Sequence, residues 1–263
     1  MPSYTQSHKS VWPYVILVFV FSVPFFVLGP LLEQFLPELA INLPASALTV
    51  VVPIAVATYL TWREGGWASA RRLLGRAFDA QKIRPVWWLP IIFIMPLAMV
   101  LHYLISQRIG SIPPPEIALL PAMVMFVFFF IGAIAEEIGW QGYAYDRLAG
   151  RMSALAAALV LGLIWVTWHI VPFIQTGHDI QWIIWQCVFS LWLRVLIVWV
   201  YVNNRRSVLA TVLLHTMSNL AVFLFPIYGS YYDPMIASAI MAVIGALVVA
   251  LWGGRTLMGS PRQ

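Results

Sequence analysis

Eight apolar runs dominate this chain, and each is about as long as a helix that crosses a membrane. A spanning helix needs about 20 predominantly apolar residues. The runs cover residues 11–32, 44–62, 86–106, 117–138, 154–174, 182–202, 208–225 and 234–252. The longest polar stretch between them, residues 63–84, is too short for a soluble domain. The pattern predicts an all-α, polytopic integral membrane protein with about eight transmembrane helices, in which residues 1–263 form a single transmembrane domain.

The composition excludes several other classes of protein. Of the 263 residues, 62% are hydrophobic and 10% are charged, and the mean hydropathy is +0.86. So few polar groups cannot cover the surface of a soluble enzyme, and so many apolar groups are unlike a disordered chain. The net charge of +5 does not indicate a nucleic-acid-binding domain, because the basic residues form short clusters between apolar runs. The partner that this composition does indicate is the lipid bilayer.

The distribution of basic residues predicts the orientation of the chain. If both chain ends are cytoplasmic, thirteen of the fifteen Lys and Arg residues fall on the cytoplasmic side: Lys9, Arg63, Arg71, Arg72, Arg76, Lys82, Arg84, Arg147, Arg151, Arg205, Arg206, Arg255 and Arg262. Arg108 alone falls outside, and Arg194 lies within a run. Positive charges favour the cytoplasmic side of a membrane. Residues 63–84, which mix aromatic residues and arginines, form either an amphipathic helix on the membrane surface or an ordinary loop.

Ionisable side chains inside the apolar runs are candidates for a functional site, because each costs several kcal/mol in a membrane. They are Glu136, Glu137, His102, His169, Arg194 and His215, and the polar Asn219 joins them. At a rise of about 1.5 Å per residue, Glu136, His215 and Asn219 all lie about 13–19 Å from the cytoplasmic helix ends. His169 comes out deeper by the same count, at about 22–27 Å. His102 stands alone on its run, which favours an interhelical hydrogen bond rather than catalysis.

The spacing of these residues suggests a chemistry. His215 and Asn219 are four residues apart and share one helix face, whereas the adjacent Glu136 and Glu137 point about 100° apart. A carboxylate that takes a proton from water, an imidazole that holds the water and donors for an oxyanion would suit acyl hydrolysis. Glu136, His169 and His215 could equally bind a divalent metal such as Zn²⁺. A proton-coupled transporter that uses the two glutamates is a third reading of the same residues.

Three short motifs resemble the signatures of the CPBP family of intramembrane proteases, which contains type II CAAX prenyl endopeptidases and bacteriocin-processing and immunity proteins. The segment EEIGWQ that begins at Glu136 resembles the EExxxR motif, and WVTWH, which ends at His169, resembles FxxxH. The third motif, HxxxN, is intact from His215 to Asn219. The motifs occur in the order of the family and cover about residues 120–225, which we expect to form the protease-like core.

The resemblance implies a role for each matching residue. Glu136 is the general base that activates water, His169 shares this water, and His215 with Asn219 forms the oxyanion site. Glu137 has a more structural role. The family was first described as metalloproteases, but its site can also be read without a metal, so the sequence commits to no cofactor. The implied activity is endopeptidase cleavage of a membrane-associated or lipidated polypeptide. The small size and compact loops of the chain favour the plasma (inner) membrane of a bacterial cell.

Two residues depart from the family pattern. Gln141 stands where the first motif has Arg, and Trp165 stands where the second has Phe. The Trp165 change is expected to be mild, since both residues pack as aromatic rings. The missing cation leaves Glu137 without its partner, so the alternative function is that of a catalytically impaired family member that acts as an immunity or binding protein. Arg194 lies about 15 Å deep, as Glu137 does, so it either supplies the missing charge or extends toward the cytoplasmic interface.

Overall fold

The structure is a computed structural model that describes residues 9–35, 45–110 and 112–258. The start of the predicted second run at residue 44, Arg262 and both ends of the chain lie outside these ranges. The described part is helical, without strands, and its long helices number eight. They are α1 (Trp12–Phe35), α2 (Val51–Gly75), α3 (Trp88–Ile109), α4 (Leu119–Gly139), α5 (Ala154–Gln175), α6 (Ile180–Asn203), α7 (Val208–Leu224) and α8 (Pro234–Trp252).

Five helical segments of the described chain are long and apolar enough to cross a membrane. They are Pro85–Ile109, Leu119–Leu148, Ala154–Gln175, Ile180–Asn203 and Pro234–Trp252, and two shorter apolar helices cover Trp12–Leu28 and Val208–Leu224. Many large apolar side chains on these helices face outward, such as Phe93 on α3 and Ile131 on α4. A soluble monomer rarely exposes so much apolar surface. The all-helical membrane fold is therefore confirmed, while eight crossings and cytoplasmic chain ends stay predictions.

The helix that carries the two glutamates is longer than one span. After Gly139 the chain continues through a π-helical turn, Trp140–Tyr145, into a last helical turn, Asp146–Leu148. Because Gly139 has no side chain, α1 and α2 can pack closely against α4 at this point. A Cβ at position 139 would lie 2.6 Å from the carbonyl oxygen of Pro53 and would overlap the Tyr14 hydroxyl. Such π-turns often occur at functional sites. The close approach fixes the part of α4 that holds Glu136 and Glu137.

The polar stretch after the second apolar run is helical over its first part. α2 bends at Gly65 and Gly66, where Gly66 has a φ of 71°, and then continues to Gly75. Beyond the bend the helix buries Ala70 and Leu73 and exposes Trp67. The amphipathic helix is thus the correct one of the two alternatives for this part, and its place on a membrane surface stays a prediction.

One arginine connects this polar segment to the helices of the site. The guanidinium of Arg76 donates to the carbonyl oxygen of Gly142 at 2.7 Å, to Asp146 Oδ2 at 3.1 Å and to the hydroxyl of Tyr201. Burial lowers the pKa of Arg76, but the neighbouring Tyr201 and Asp146 outweigh burial, so this pKa is raised overall. The contacts join the segment after α2 to the end of α4 and to α6.

The site lies where α4 packs between α2 and α7, and α6 packs on both α5 and α8. Helices with Ser153, Asp179, Ser207 and Asp233 before their first residue are capped, because these side chains accept backbone N–H groups of the first turn. The caps explain why α5 to α8 begin where they do. The registers of α5, α6 and α7 in turn set the depth of the residues that they carry.

Cysteine labelling tests the predicted orientation. In a Cys187→Ala background, Gln81→Cys after α2 places an exposed thiol on the predicted cytoplasmic side of the membrane. Ser230→Cys, between α7 and α8, places an exposed thiol on the predicted outer side. We expect a membrane-impermeant maleimide added to intact cells to label Ser230→Cys and to label Gln81→Cys only after permeabilisation. Labelling of Gln81→Cys in intact cells would show that the orientation is inverted.

Candidate active site

Some of the predicted site residues line one cavity, and the others are buried behind its wall. A cavity of about 230 Å³ is lined by Glu136 from α4, His169 from α5 and Asn219 from α7. Glu137 and His215 are buried, with 0% and 2% of their surfaces exposed. The two adjacent glutamates therefore face different surroundings, as their 100° separation on a helix predicts. Only Glu136 can reach a bound substrate directly.

Glu136 and His169 face each other across a gap. His169 Nε2 lies 3.9 Å from Glu136 Oε2, which is too long for a direct hydrogen bond. His169 Nδ1 lies 2.8 Å from the carbonyl oxygen of Trp165, and since a carbonyl only accepts, Nδ1 carries the proton. In the neutral ring Nε2 is then an acceptor, as the ionised carboxylate is. A group that joins the two must donate to both, and a water molecule has the two O–H bonds for this.

Glu137 is held by two donors in a fully buried environment. Arg194 Nη1 lies 2.8 Å from Oε2 and 3.1 Å from Oε1, and His215 Nδ1 lies 3.0 Å from Oε1. The side chains of Arg194 and Glu137 are both 0% exposed. The structure thus brings together the pair that the matching depths predict. The cation that the first motif would supply from α4 is supplied from α6.

His215 and Asn219 share one face of α7, but they meet different parts of the site. Asn219 lines the cavity, one helical turn from His215. The Nδ1–H of His215 is used by Glu137, and its ring lies edge-on to Trp165 with 5.4 Å between the ring centroids. Asn219 is therefore placed to touch a substrate, whereas the placement of His215 is that of a residue held from behind the cavity wall.

Trp165 makes the contacts that the sequence reasoning missed. Its indole N–H donates to Glu136 Oε2 at 2.8 Å, and the guanidinium carbon of Arg194 lies 4.2 Å from the ring centroid. The prediction that Trp165 acts as a packing ring like Phe is thus incomplete. The signal was present in the sequence, because an indole N–H inside a protein needs an acceptor and a phenyl ring has no such group.

Gln141 does not replace the motif arginine. It is fully buried in the π-turn, and neither its amide oxygen nor its amide nitrogen has a hydrogen-bond partner among the described residues. A buried amide without partners costs free energy of folding. Because the Gln141 amide makes no hydrogen bond to Glu137, it does not stabilise that carboxylate. The departure from the motif is compensated by Arg194 and not by Gln141 itself.

His102 lies in a separate polar contact. It is fully buried on α3, and its Nε2 is 2.9 Å from the carbonyl oxygen of Asp233, the residue before α8. Its ring stacks on Tyr232 with 5.7 Å between centroids. These contacts join α3 to the start of α8, as expected of an interhelical hydrogen bond.

The zinc alternative does not fit the donor geometry. The described residues contain no group of three His, Cys, Asp or Glu side chains that could hold a metal ion. His215, the third ligand considered from the sequence, gives its Nδ1 to Glu137 and lies behind the cavity wall. Three converging protein ligands are the usual minimum for a catalytic zinc site. We therefore derive no step through a metal.

The stability of the buried pair provides a test of the geometry. Removing one partner of a buried ion pair costs about 3–5 kcal/mol, whereas removing both costs less. We expect Arg194→Leu to lower the thermal unfolding midpoint in detergent more than Arg194→Leu combined with Glu137→Leu. Lys9→Leu is the control, since Lys9 is 56% exposed, its partner Glu64 is 28% exposed, and such pairs contribute less. Losses that simply add in the double variant would contradict the pairing.

The comparisons with known proteins concern the same part of the chain. Residues 118–221 match the family model described as Type II CAAX prenyl endopeptidase Rce1-like. A curated protein of Methanococcus maripaludis, CAAX prenyl protease 2, is 25% identical over 192 residues, which cover 65% of this chain and 68% of that protein. The family match begins just before α4 and ends just after Asn219, so it contains all three motifs. The resemblance carried by the motifs is confirmed, since residues 118–221 of this membrane protein are similar to Rce1-like type II CAAX prenyl endopeptidases.

Proposed function

We propose that this protein is an intramembrane endopeptidase that hydrolyses a peptide bond of a membrane-associated or lipidated polypeptide. The observation that carries the proposal is the pair of acceptors, Glu136 Oε2 and His169 Nε2, 3.9 Å apart at the wall of the cavity. A water beside this gap can donate to both atoms, and it is the nucleophile that hydrolysis requires. The family match supports a protease of this type, and residues 120–225 are its catalytic core.

The reaction starts with the water held by both acceptors. As the water oxygen attacks the carbonyl carbon of the substrate, Glu136 accepts one of its protons and His169 accepts a hydrogen bond from the other. The C–O bond forms and the carbonyl π electrons move to the oxygen, which gives a tetrahedral oxyanion. Glu136 then passes its proton to the amide nitrogen, the C–N bond breaks, and the products are a carboxylic acid and an amine.

The oxyanion needs a donor that reaches the cavity. The side-chain amide of Asn219 has N–H groups for this and lines the cavity with Glu136 and His169. His215 can add a second donor only through Nε2, because its Nδ1–H is given to Glu137. Its ring must then carry protons on both nitrogens, and the Glu137 carboxylate 3.0 Å away is the group that stabilises this cation.

The rest of the cavity indicates an apolar substrate. Its wall is formed by Phe128, Phe129, Trp168, Pro172 and Val50, and Gly132 leaves space one turn from Glu136. An extended peptide with apolar side chains, or one that carries a lipid chain, matches such a lining. The relative named CAAX prenyl protease 2 makes a prenylated peptide the first substrate to test. We place the protein in the plasma (inner) membrane of a bacterial cell, with both ends cytoplasmic.

Loss of the water-holding pair should abolish cleavage. In proteoliposomes with an internally quenched farnesylated CAAX peptide, or with a transmembrane reporter, we expect Glu136→Gln and His169→Ala to lower kcat at least about 10²-fold, since general acid–base groups contribute about 10²–10⁴-fold. Glu116→Gln, which changes an exposed carboxylate before α4, is the matched control and should retain activity. Wild-type rates in Glu136→Gln would refute the mechanism.

Asn219 provides a separate test of the oxyanion site. Removal of one oxyanion donor typically costs about 10²–10³ in kcat. We expect Asn219→Ala to lower kcat by about this factor with a small change in KM, because the donor acts chiefly on the transition state. Steady-state kinetics with the same peptide measure both constants. A rise in KM with unchanged kcat would assign Asn219 to substrate binding instead.

The alternative functions give different outcomes in the same assays. A catalytically impaired immunity or binding protein, which Gln141 favours, would bind a lipidated peptide without cleaving it. The restored cation at Arg194 argues against this alternative, since Glu137 retains a partner. A proton-coupled transporter would acidify the interior of proteoliposomes when a substrate gradient is applied. It would leave the farnesylated peptide and the transmembrane reporter uncleaved.

A further inference from the structure

Trp165 contacts both halves of the divided site. It donates to Glu136 in the cavity wall, and its ring lies against Arg194 in the buried group behind the wall. We propose that Trp165 is a positioning residue that couples Glu136 to the buried Arg194, Glu137 and His215, and that the cation on α6 supports the cavity through this ring. The inference rests on the proposed function, in which Glu136 activates the water.

The first step is the hold on Glu136. The indole N–H bond of 2.8 Å to Oε2 fixes one carboxylate oxygen, the same atom that lies 3.9 Å from His169 Nε2. An oxygen of a carboxylate has two lone pairs, so one remains to accept from the water. The indole thus fixes the direction in which Glu136 presents this lone pair. A phenyl ring at position 165 could not donate this bond.

The second step is the hold on His169 from the same residue. The backbone carbonyl of Trp165 accepts from His169 Nδ1 at 2.8 Å, which selects the ring form with a free Nε2. The ring centroids of Trp165 and His169 lie 4.7 Å apart in an edge-to-face arrangement. One residue therefore sets the position of both acceptors that face the water.

The third step joins this residue to the buried charges. Arg194 makes its hydrogen bonds through Nη1 to Glu137, while its Nε and Nη2 have no partner among the described residues. Its guanidinium carbon also lies 4.2 Å from the centroid of the Trp165 ring. A guanidinium over an indole face is attracted by the ring, most strongly where water is excluded. Arg194 and Trp165 consequently hold each other in place.

The fourth step explains why the two departures from the motif belong together. A cation at position 141 would approach Glu137 along α4 itself. A cation at position 194 approaches from α6 and meets the face of the residue at 165. An indole there both accepts the stacked guanidinium and donates to Glu136, so the relocated charge and the larger ring form one unit.

Trp165→Phe separates positioning from packing, because it keeps an aromatic ring and removes the N–H. We expect kcat for the farnesylated peptide to fall about 10²-fold, as for small misplacements of reacting groups, with KM within about twofold. Trp199→Phe is the matched control, since Trp199 is a buried tryptophan on α6 whose N–H has no partner in the described chain. It should retain kcat, which would show that exchanging a buried indole for a phenyl ring does not by itself lower activity. An unchanged kcat in Trp165→Phe would overturn the inference.

A second set of variants tests the coupling without relying on activity. We expect the losses of unfolding midpoint in Trp165→Leu and Arg194→Leu to be less than additive in the double variant. Gln141→Arg should restore part of the midpoint lost in Arg194→Leu, because it returns a cation to Glu137, yet it should leave the midpoint of Trp165→Leu unrestored. Additive losses would overturn the coupling.

These readouts distinguish failure of the inference from failure of the proposed function. If the wild type cleaves neither the farnesylated peptide nor the transmembrane reporter, the proposed function fails, and the unfolding midpoints alone decide the coupling. If the wild type cleaves and Trp165→Phe cleaves equally well, the proposed function stands and the inference fails.

Discussion

The ion pair between Arg194 and Glu137 is the interaction on which the rest of the site depends. Both side chains are fully buried, and each would be costly alone at this depth in a membrane. Together they neutralise each other, and the pair adds a hydrogen bond from His215. The pair joins α4, α6 and α7 at one point, and the ring of Trp165 adds α5. Four helices of the bundle therefore meet beside the cavity at one buried ion pair and the ring stacked on it.

The pair also explains how two adjacent glutamates can do different chemistry. Glu137 accepts hydrogen bonds from Arg194 and His215 and is fully buried, so it cannot reach a substrate. Glu136 is held by the single N–H of Trp165 and otherwise faces the cavity. The turn of the helix places one carboxylate in a fixed structural role and leaves the other available to a water. The same division places Asn219 at the cavity and His215 behind it, one helical turn apart on α7.

Much of this arrangement follows from the sequence, and the parts that do not follow share a physical reason. Depth along a helix can be counted, so the meeting of Arg194 with Glu137 could be predicted from two residues at about 15 Å. Motif order predicted which helices carry Glu136, His169 and Asn219. Rotation about a helix axis depends on packing with neighbours, so the partner of His215 was not predicted. The bond from Trp165 to Glu136 depends on rotation of two helices at once, and the amide of Gln141 gave no sign that it would lack partners.

The fold itself shows the same limit. The lengths of the apolar runs predicted the long helices, and the structure extends the helical segment of α4 to Leu148. The run lengths did not predict the π-turn at Trp140–Tyr145, which directly follows the close approach of the neighbouring helices at Gly139. The distribution of basic residues favours one orientation of the chain in the membrane but does not predict local structure. The sequence therefore left residues 63–84 as either an amphipathic helix or a loop, and the structure has a helix after the bend at Gly66.

The relocated cation has a consequence for how such a sequence can change over generations. A chain that gains Arg194 while an arginine remains at 141 holds two cations for one buried carboxylate. A chain that first loses the arginine at 141 leaves that carboxylate unpaired. Both intermediates are less stable than either end state, so the exchange requires a chain with stability to spare. Once made, it resists reversal by single substitutions. Lineages that place this charge on α6 should therefore remain separate from those that keep it on α4, and a sequence with both cations or with neither should be rare.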